Sequence, residues 1–127
     1  MYLRNTRQRG AILEVLELED RPLSPQEILQ KAKNKIPKLG IATVYRTIKD
    51  FLHAGKLNEI VLPGESQRYE IKTDHHHHHF WCRICDRAFV IKGCPGTLNF
   101  HPPKGFKTES HEVTFKGICS ECFSSEK

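Results

Sequence analysis

Three stretches in the first half of the chain carry apolar residues at helical spacing. Ile12, Val15 and Leu16 form the first stripe, which predicts a helix from near Asn5, where Asn5 with Gln8 resembles a capping box, to no further than Asp20. Ser24-Pro25-Gln26-Glu27 is a stronger start signal. It offers a serine N-cap, a proline at the first helical position and a glutamate three residues after the cap, predicting a second helix that runs to about Ile36, before Pro37. Val44, Ile48, Phe51 and Leu52 fall at i, i+4, i+7 and i+8 between Leu39-Gly40 and Ala54-Gly55, so a third helix is expected there, stopped by Gly55. Leu57 to Leu62 then reads as a strand and Pro63 to Ser66 as a turn. Gln67 to Ile71 reads as a second strand, with Tyr69 and Ile71 alternating against Arg68 and Glu70. Three short helices followed by a hairpin describe a winged helix-turn-helix.

The pattern changes abruptly across Lys72 to Asp74, which divides the chain into residues 1–73 and 74–127. Beyond the hinge, short strands are expected around His76–Cys82 and Ala88–Lys92. A turn at Cys94-Pro95-Gly96 with a short helix after it, and a longer strand from Phe106 to Lys116, complete the chain. The class is α+β, a winged helix-turn-helix followed by a small α/β domain.

A chain of 127 residues buries one modest core or two small ones, so an additional staple is expected. Its hydrophobic share of 38% and charged share of 28% are those of a soluble globular protein. No apolar run is long enough to cross a bilayer, and the first residues resemble neither a secretory signal nor a lipidation motif. The expected compartment is the cytoplasm, with no membrane partner. The net charge of +5 is unevenly placed: residues 1–73 carry 13 Lys and Arg against 9 Asp and Glu, residues 74–127 carry 7 against 6. A basic excess in the winged-helix half fits a polyanionic partner.

That half also holds the candidate recognition helix. Opposite the apolar stripe of the third helix lie Thr43, Arg46 and Asp50, with Ala42 and Lys49 beside them. Arginine reads guanine bidentately in the major groove, and threonine bonds phosphate or touches a thymine methyl. Tyr45, at the stripe's edge, is placed to pack, to read DNA, or to do both. Arg7 and Arg9 on the first helix and Arg68 on the wing are candidate phosphate contacts that set register without reading bases. A solvated surface helix would show the same periodicity, and the hairpin after it tilts the balance towards DNA.

The second half holds all five cysteines and seven of the eight histidines. Cys82-Arg83-Ile84-Cys85 and Cys119-Ser120-Glu121-Cys122 each set two thiols on one tight turn, and two such turns supply the four soft ligands of a closed structural zinc site. A redox dithiol is the alternative for either pair alone. In His75-His76-His77-His78-His79, strand alternation turns His77 and His79 one way, His76 and His78 the other. Two metal sites are thereby opened, the first joined by Glu70 from across the hinge and the second by His111. A loosely metal-binding surface tract is the alternative, and for His111 alone a hydrogen-bonded histidine. Cys94 is read as a partly buried structural thiol, with a thiolate ligand or an oxidation sensor as the sharper alternative.

Ala42-Thr43-Val44-Tyr45-Arg46-Thr47-Ile48, the histidine tract leading into Cys82-x-x-Cys85, the terminal Cys119-x-x-Cys122 and Thr6-Arg7-Gln8-Arg9 together resemble the ferric uptake regulator family along essentially the whole chain. The resemblance implies a homodimer, joined through residues 74–127, that binds palindromic double-stranded operator DNA when a regulatory metal is present. It implies repression of metal-uptake or stress genes, Tyr45 and Arg46 as DNA contacts, and the four paired cysteines as structural zinc ligands. Glu70, His77 and His79 match the family's regulatory ligands; His76 and His111 match a further site, with His78 standing where an Asp is usual and Thr97 near a usual Glu. His78 or Cys94 is expected to compensate, which makes the additional set His76, His78, His111 and Cys94. Two departures stand out: Arg21-Pro22-Leu23 where many members carry a ligating His, and Val90 where an acid is usual. Nitrogen- and sulfur-rich ligands favour zinc or iron(II) as the regulatory ion. Metal is then expected to hold the two winged helices at half-site separation, adding affinity by preorganisation.

An enzyme is the first rival class. The sequence has no H-E-x-x-H motif, and a zinc with four thiolates keeps no position for water, so neither catalysis nor a small organic substrate is expected. A zinc-stapled nucleic-acid or protein interaction module, without metal-switched operator binding, is the second.

Overall fold

The computed structural model describes residues 2–62, 67–73, 77–92 and 102–125, with the side chains of residues 2–5, 77 and 125 left out. The chain forms two compact units, Met1–Thr73 and Asp74–Lys127.

In the first unit α1 (Tyr2–Glu19) starts three residues earlier than the sequence suggests. Nothing in Tyr2-Leu3-Arg4 breaks a helix, so Asn5 lies inside it rather than capping it. Asp20 then takes a left-handed φ of 50° and ends it. α2 (Pro25–Ala32) opens on the expected capping box: the Glu27 N–H donates to Ser24 Oγ at 3.2 Å, and the Ser24 N–H donates to Glu27 Oε1 at 3.0 Å. It ends at Ala32, short of the expected Ile36. Pro37 pushes Ile36 out of the helical region, and the Lys35 and Ile36 N–H groups both turn back onto the Ala32 carbonyl at 3.0 Å. α3 (Ile41–His53) follows, and Gly55 takes φ 74° after its end.

The wing is β1 (Leu57–Val61) paired antiparallel with β2 (Gln67–Ile71), Leu57 opposite Ile71; the expected turn at 63–66 lies outside the described residues. Leu23 bonds the other side of β2 through both Tyr69 backbone groups at 2.8 Å, so at Tyr69 this two-stranded sheet is closed on both edges of β2. The core gathers Ile12 and Leu16 of α1, Ile28 and Ala32 of α2, Val44, Ile48 and Phe51 of α3, and Leu57 and Tyr69 of the wing. The stripes read from the sequence therefore converge on one another.

In the second unit β3 (His77–Cys82) is central, with β4 (Ala88–Lys92) antiparallel on one side and β5 (Thr114–Gly117) parallel on the other. The short helix α4 (Ser120–Ser125) closes the chain. The strand expected from Phe106 to Lys116 shrinks to β5. Its upstream part, Lys107-Thr108-Glu109-Ser110, has no apolar face to lay on a sheet and stays irregular. The helix expected after Cys94 lies outside the described residues.

Candidate metal centre and nucleic-acid interface

β3 ends at Cys82, where the chain reverses. The Asp86 N–H donates to the Cys82 carbonyl at 2.9 Å, and the Cys82 N–H to the Arg87 carbonyl at 3.0 Å. The reversal puts Asp86 at φ 62°, a left-handed conformation that aspartate tolerates. Its carboxylate accepts the Trp81 indole N–H at 2.8 Å, which pins the turn. Beside it β5 runs in with Gly117 opposite Cys82. A Cβ on Gly117 would meet the Phe80 ring at 3.2 Å, so glycine permits this close approach. The Cys119 N–H then donates to Cys82 Sγ at 3.3 Å, and Cys122 follows on α4.

All four Sγ atoms lie within 4.8 Å of one another, and those of Cys85 and Cys119 are 3.8 Å apart. A zinc with four bonds of about 2.3 Å spaces its sulfurs about 3.8 Å apart. The cluster fits that ion, and a full set of thiolates leaves no opening for a reacting water.

The thiols differ in charge. Burial pushes the Cys82 thiol up, but backbone N–H groups of Cys85, Cys119 and Ile84, with the Cys85 side chain, outweigh it and bring it down to about 6. Desolvation pushes Cys122 up to about 12, helped by contacts with Cys119, Cys82 and Cys85, and pushes Cys85 up as well. At neutral pH the metal-free cluster thus holds a thiolate at Cys82 and protons on Cys85 and Cys122. Zinc must displace those protons. Calorimetry in buffers of different ionisation enthalpy is expected to show net proton release on zinc binding at pH 7, the Cys85 and Cys122 protons among it. As pH falls through about 6, Cys82 also protonates, so affinity drops more steeply there; a proton count unchanged between pH 7 and pH 5 contradicts this order.

Among the histidines, His78 is buried and His79 half-buried. The His78 and His111 rings stand 5.0 Å apart between centroids, so two members of the additional set meet. His76, Cys94, Thr97 and the side chain of His77 lie outside the described residues. Glu70 is a buried residue of β2 in the first unit.

On α3, Tyr45 is 48% exposed and Arg46 is exposed, while Val44, Thr47, Ile48 and Phe51 are buried. Arg46 Nη2 donates to Thr43 Oγ1 at 3.2 Å, which steadies the guanidinium. Tyr45 is held by a 3.5 Å hydrogen bond from Gln26 Nε2. Arg7 is exposed. Arg9 pairs with Asp50 at 2.8 Å and lies 5.4 Å over the Phe51 ring, clamping α1 to α3. Arg68 corrects the sequence reading. It is 2% exposed and pairs with Glu27 at 3.1 Å, so it faces inward, away from any phosphate.

The model of the ferric uptake regulator family matches residues 1–116. The chain belongs to the ferric uptake regulator family. Its members are metal-responsive, DNA-binding transcription regulators, not enzymes. The ferric uptake regulation protein of Bacillus subtilis is 32% identical over 95% of this chain and 86% of its own length. The zinc uptake regulation protein of Mycobacterium tuberculosis is 30% identical over 96% of both. The solved ferric uptake regulator of Francisella tularensis with iron superposes at a TM-score of 0.68, with 26% identity over 91% of each chain. Iron- and zinc-named relatives at near-equal identity leave the metal to be argued from ligands.

Sequence reasoning missed some parts of this family member. Trp81, Asp86 and Gly117 shape the zinc turn through contacts that no spacing rule encodes. Four lysines fall in residues 31–38; Lys31 and Lys35 pair with Glu19 and Glu14 on α1. Lys33 and Lys38 are exposed and, like Lys49 already placed beside the recognition face of α3, form no ion pair among the described residues. Among those residues no helix is long and apolar enough to cross a membrane.

Proposed function

We propose that this protein is a cytoplasmic repressor that binds duplex operator DNA as a homodimer. Residues 1–73 serve as the DNA-binding domain and residues 74–127 as the zinc-stapled dimerisation domain. The observation that carries the proposal is the face of α3: Tyr45 and Arg46 project from a helix whose opposite side is locked into the core, as groove reading requires. Thr43 orients Arg46; Arg7 contacts phosphate, and Arg9 joins it once DNA competes with Asp50. Lys33, Lys38 and Lys49 join them as phosphate contacts.

Cys82, Cys85, Cys119 and Cys122 hold a structural zinc. The regulatory ion is zinc or iron(II), with Glu70, His77 and His79 carried over as its ligands from the family motif, and the controlled genes serve metal uptake or stress. Metal and operator affinities are then linked: each tightens the other by the same factor.

The test starts from a random duplex pool. Zinc-stapled protein selects a sequence from it, and its affinity is measured with and without added iron(II) or zinc. Metal-enhanced binding to a palindromic site is expected. Equal affinity in all conditions, or preference for single strands, sinks the proposal and favours the interaction module. Arg46→Ala is expected to weaken the selected duplex by roughly 5- to 150-fold through loss of a base contact. Lys38→Ala is expected to weaken all duplexes alike and to flatten the log K against log salt slope by about 0.9.

A further inference from the structure

The Val113 peptide is gripped at both ends by β3. Its carbonyl accepts the His79 N–H at 3.2 Å, and its own N–H donates to His78 Nδ1 at 3.0 Å. A backbone N–H can only donate, so His78 Nδ1 presents a lone pair there, and the single proton of the neutral ring falls on Nε2, a buried atom that meets no acceptor among the described residues. A metal-binding histidine has the opposite arrangement: its second nitrogen carries the proton and donates it to a carbonyl or carboxylate. Were Nε2 to give its lone pair to a metal, the proton on Nδ1 would face the Val113 N–H, donor against donor. Were Nδ1 itself to bind metal, the Val113 amide would lose its acceptor beside a side chain only 1% exposed.

We propose that His78 is a positioning residue that seats the start of β5 on β3, and that it is not a ligand of an additional metal site. The hydrogen bond acts one residue before β5 begins: Thr114 is the first residue in register, opposite His79, and the strand then runs to Gly117 opposite Cys82. Cys119 and Cys122 follow directly, so the anchor sets where the second thiol pair arrives at the zinc cluster. The close approach of His111, with its ring tilted 37° to that of His78, is packing beside this anchor and not two ligands on one ion. The inference concerns the second unit alone and stands or falls separately from DNA binding.

Two substitutions separate the roles. Asparagine puts Oδ1 near the position of Nδ1 and accepts the Val113 N–H, but offers nothing in place of Nε2. His78→Asn protein, saturated with zinc and freed of loose metal, is expected to hold as many zinc ions per chain as the unaltered protein and to melt within a few degrees of it. His78→Ala is expected to lower the melting temperature of residues 74–127 by roughly 5–15 °C through the lost buried hydrogen bond. Long-range ¹H–¹⁵N spectra of the zinc-loaded unaltered protein are expected to show Nδ1 bare and Nε2 protonated, unchanged by further zinc. One metal equivalent lost in His78→Asn, an Asn variant that melts as low as the Ala variant or fails to fold, or loss of the Nε2 proton on adding zinc, each overturns the assignment. If His78→Ala does not fold at all, the Asn variant and the spectra still decide.

Discussion

Cys85→Ala and Cys119→Ala are each expected to remove one tightly held zinc per chain and to unfold residues 74–127 while leaving the first unit helical. The reason lies in the unequal cores. The cluster of buried apolar side chains, from Ile12 to Tyr69, belongs wholly to residues 1–73. In the second unit the described buried hydrophobic positions are Trp81, Cys82 and Ala88, while Phe106, Phe115 and Phe123 are exposed. So little buried surface does not sustain a small domain without a staple. Binding of a structural zinc by four thiolates contributes about 10–16 kcal/mol in peptide systems, as much as a whole domain's net stability. Losing one thiolate forfeits most of that. The chain reports each unit separately. Trp81 is the sole tryptophan, nearly buried and bonded to Asp86, so its emission moves to the red when the second unit opens. The long helices α1, α2 and α3 lie in the first unit and keep their far-ultraviolet circular dichroism. Variants that retain one zinc per chain, or lose it with no change in Trp81 emission, refute the assignment.

Features visible in the sequence were those whose partners lie within a few residues. The Ser24–Glu27 capping box was readable because both halves of the bond sit inside one helical turn. The apolar stripe of α3 and the two C-x-x-C turns are equally local. What escaped the reading depended on distant partners. Strand alternation gave Arg68 and Tyr69 opposite faces but assumed that one was wet; both are buried, β1 and Leu23 flank β2, and the partner of Arg68, Glu27 on α2, is 41 residues away. The length of β5 depends on where β3 offers a partner, and the role of His78 depends on a backbone amide that carries no signature in the residue type. The family resemblance pointed to His78 as a ligand, and the direction of one hydrogen bond argues otherwise.

Glu27→Gln is expected to destabilise the first unit by about 3 kcal/mol, a fall in melting temperature of roughly 10–20 °C. Glu27 does more than cap α2. Its Oε1 accepts the Ser24 N–H and a proton of Arg68 Nη1, and its Oε2 pairs with Arg21 Nη2 at 3.1 Å. Arg21 continues to Glu19 at 3.4 Å, and Glu19 to Lys31 at 2.8 Å. One carboxylate therefore ties the end of α1, the start of α2 and the wing strand together. Glutamine preserves its volume and still serves the capping box, so the loss isolates the charge. With the charge gone, Arg68 at 2% exposure and Arg21 at 9% keep their desolvation cost while losing the anion between them. Glu27→Ala adds the loss of the cap, about a further 1 kcal/mol. Arg68→Met is expected to cost less than Glu27→Gln, because it removes a buried charge along with its desolvation and leaves Glu27 with Arg21 and the Ser24 N–H. It also checks the inward placement of Arg68 on DNA. A phosphate contact would carry away about 0.9 of the salt slope when replaced, whereas a core residue leaves that slope intact. A Glu27→Gln protein that melts like the unaltered one, or an Arg68→Met protein with a flattened slope, contradicts this account of the wing.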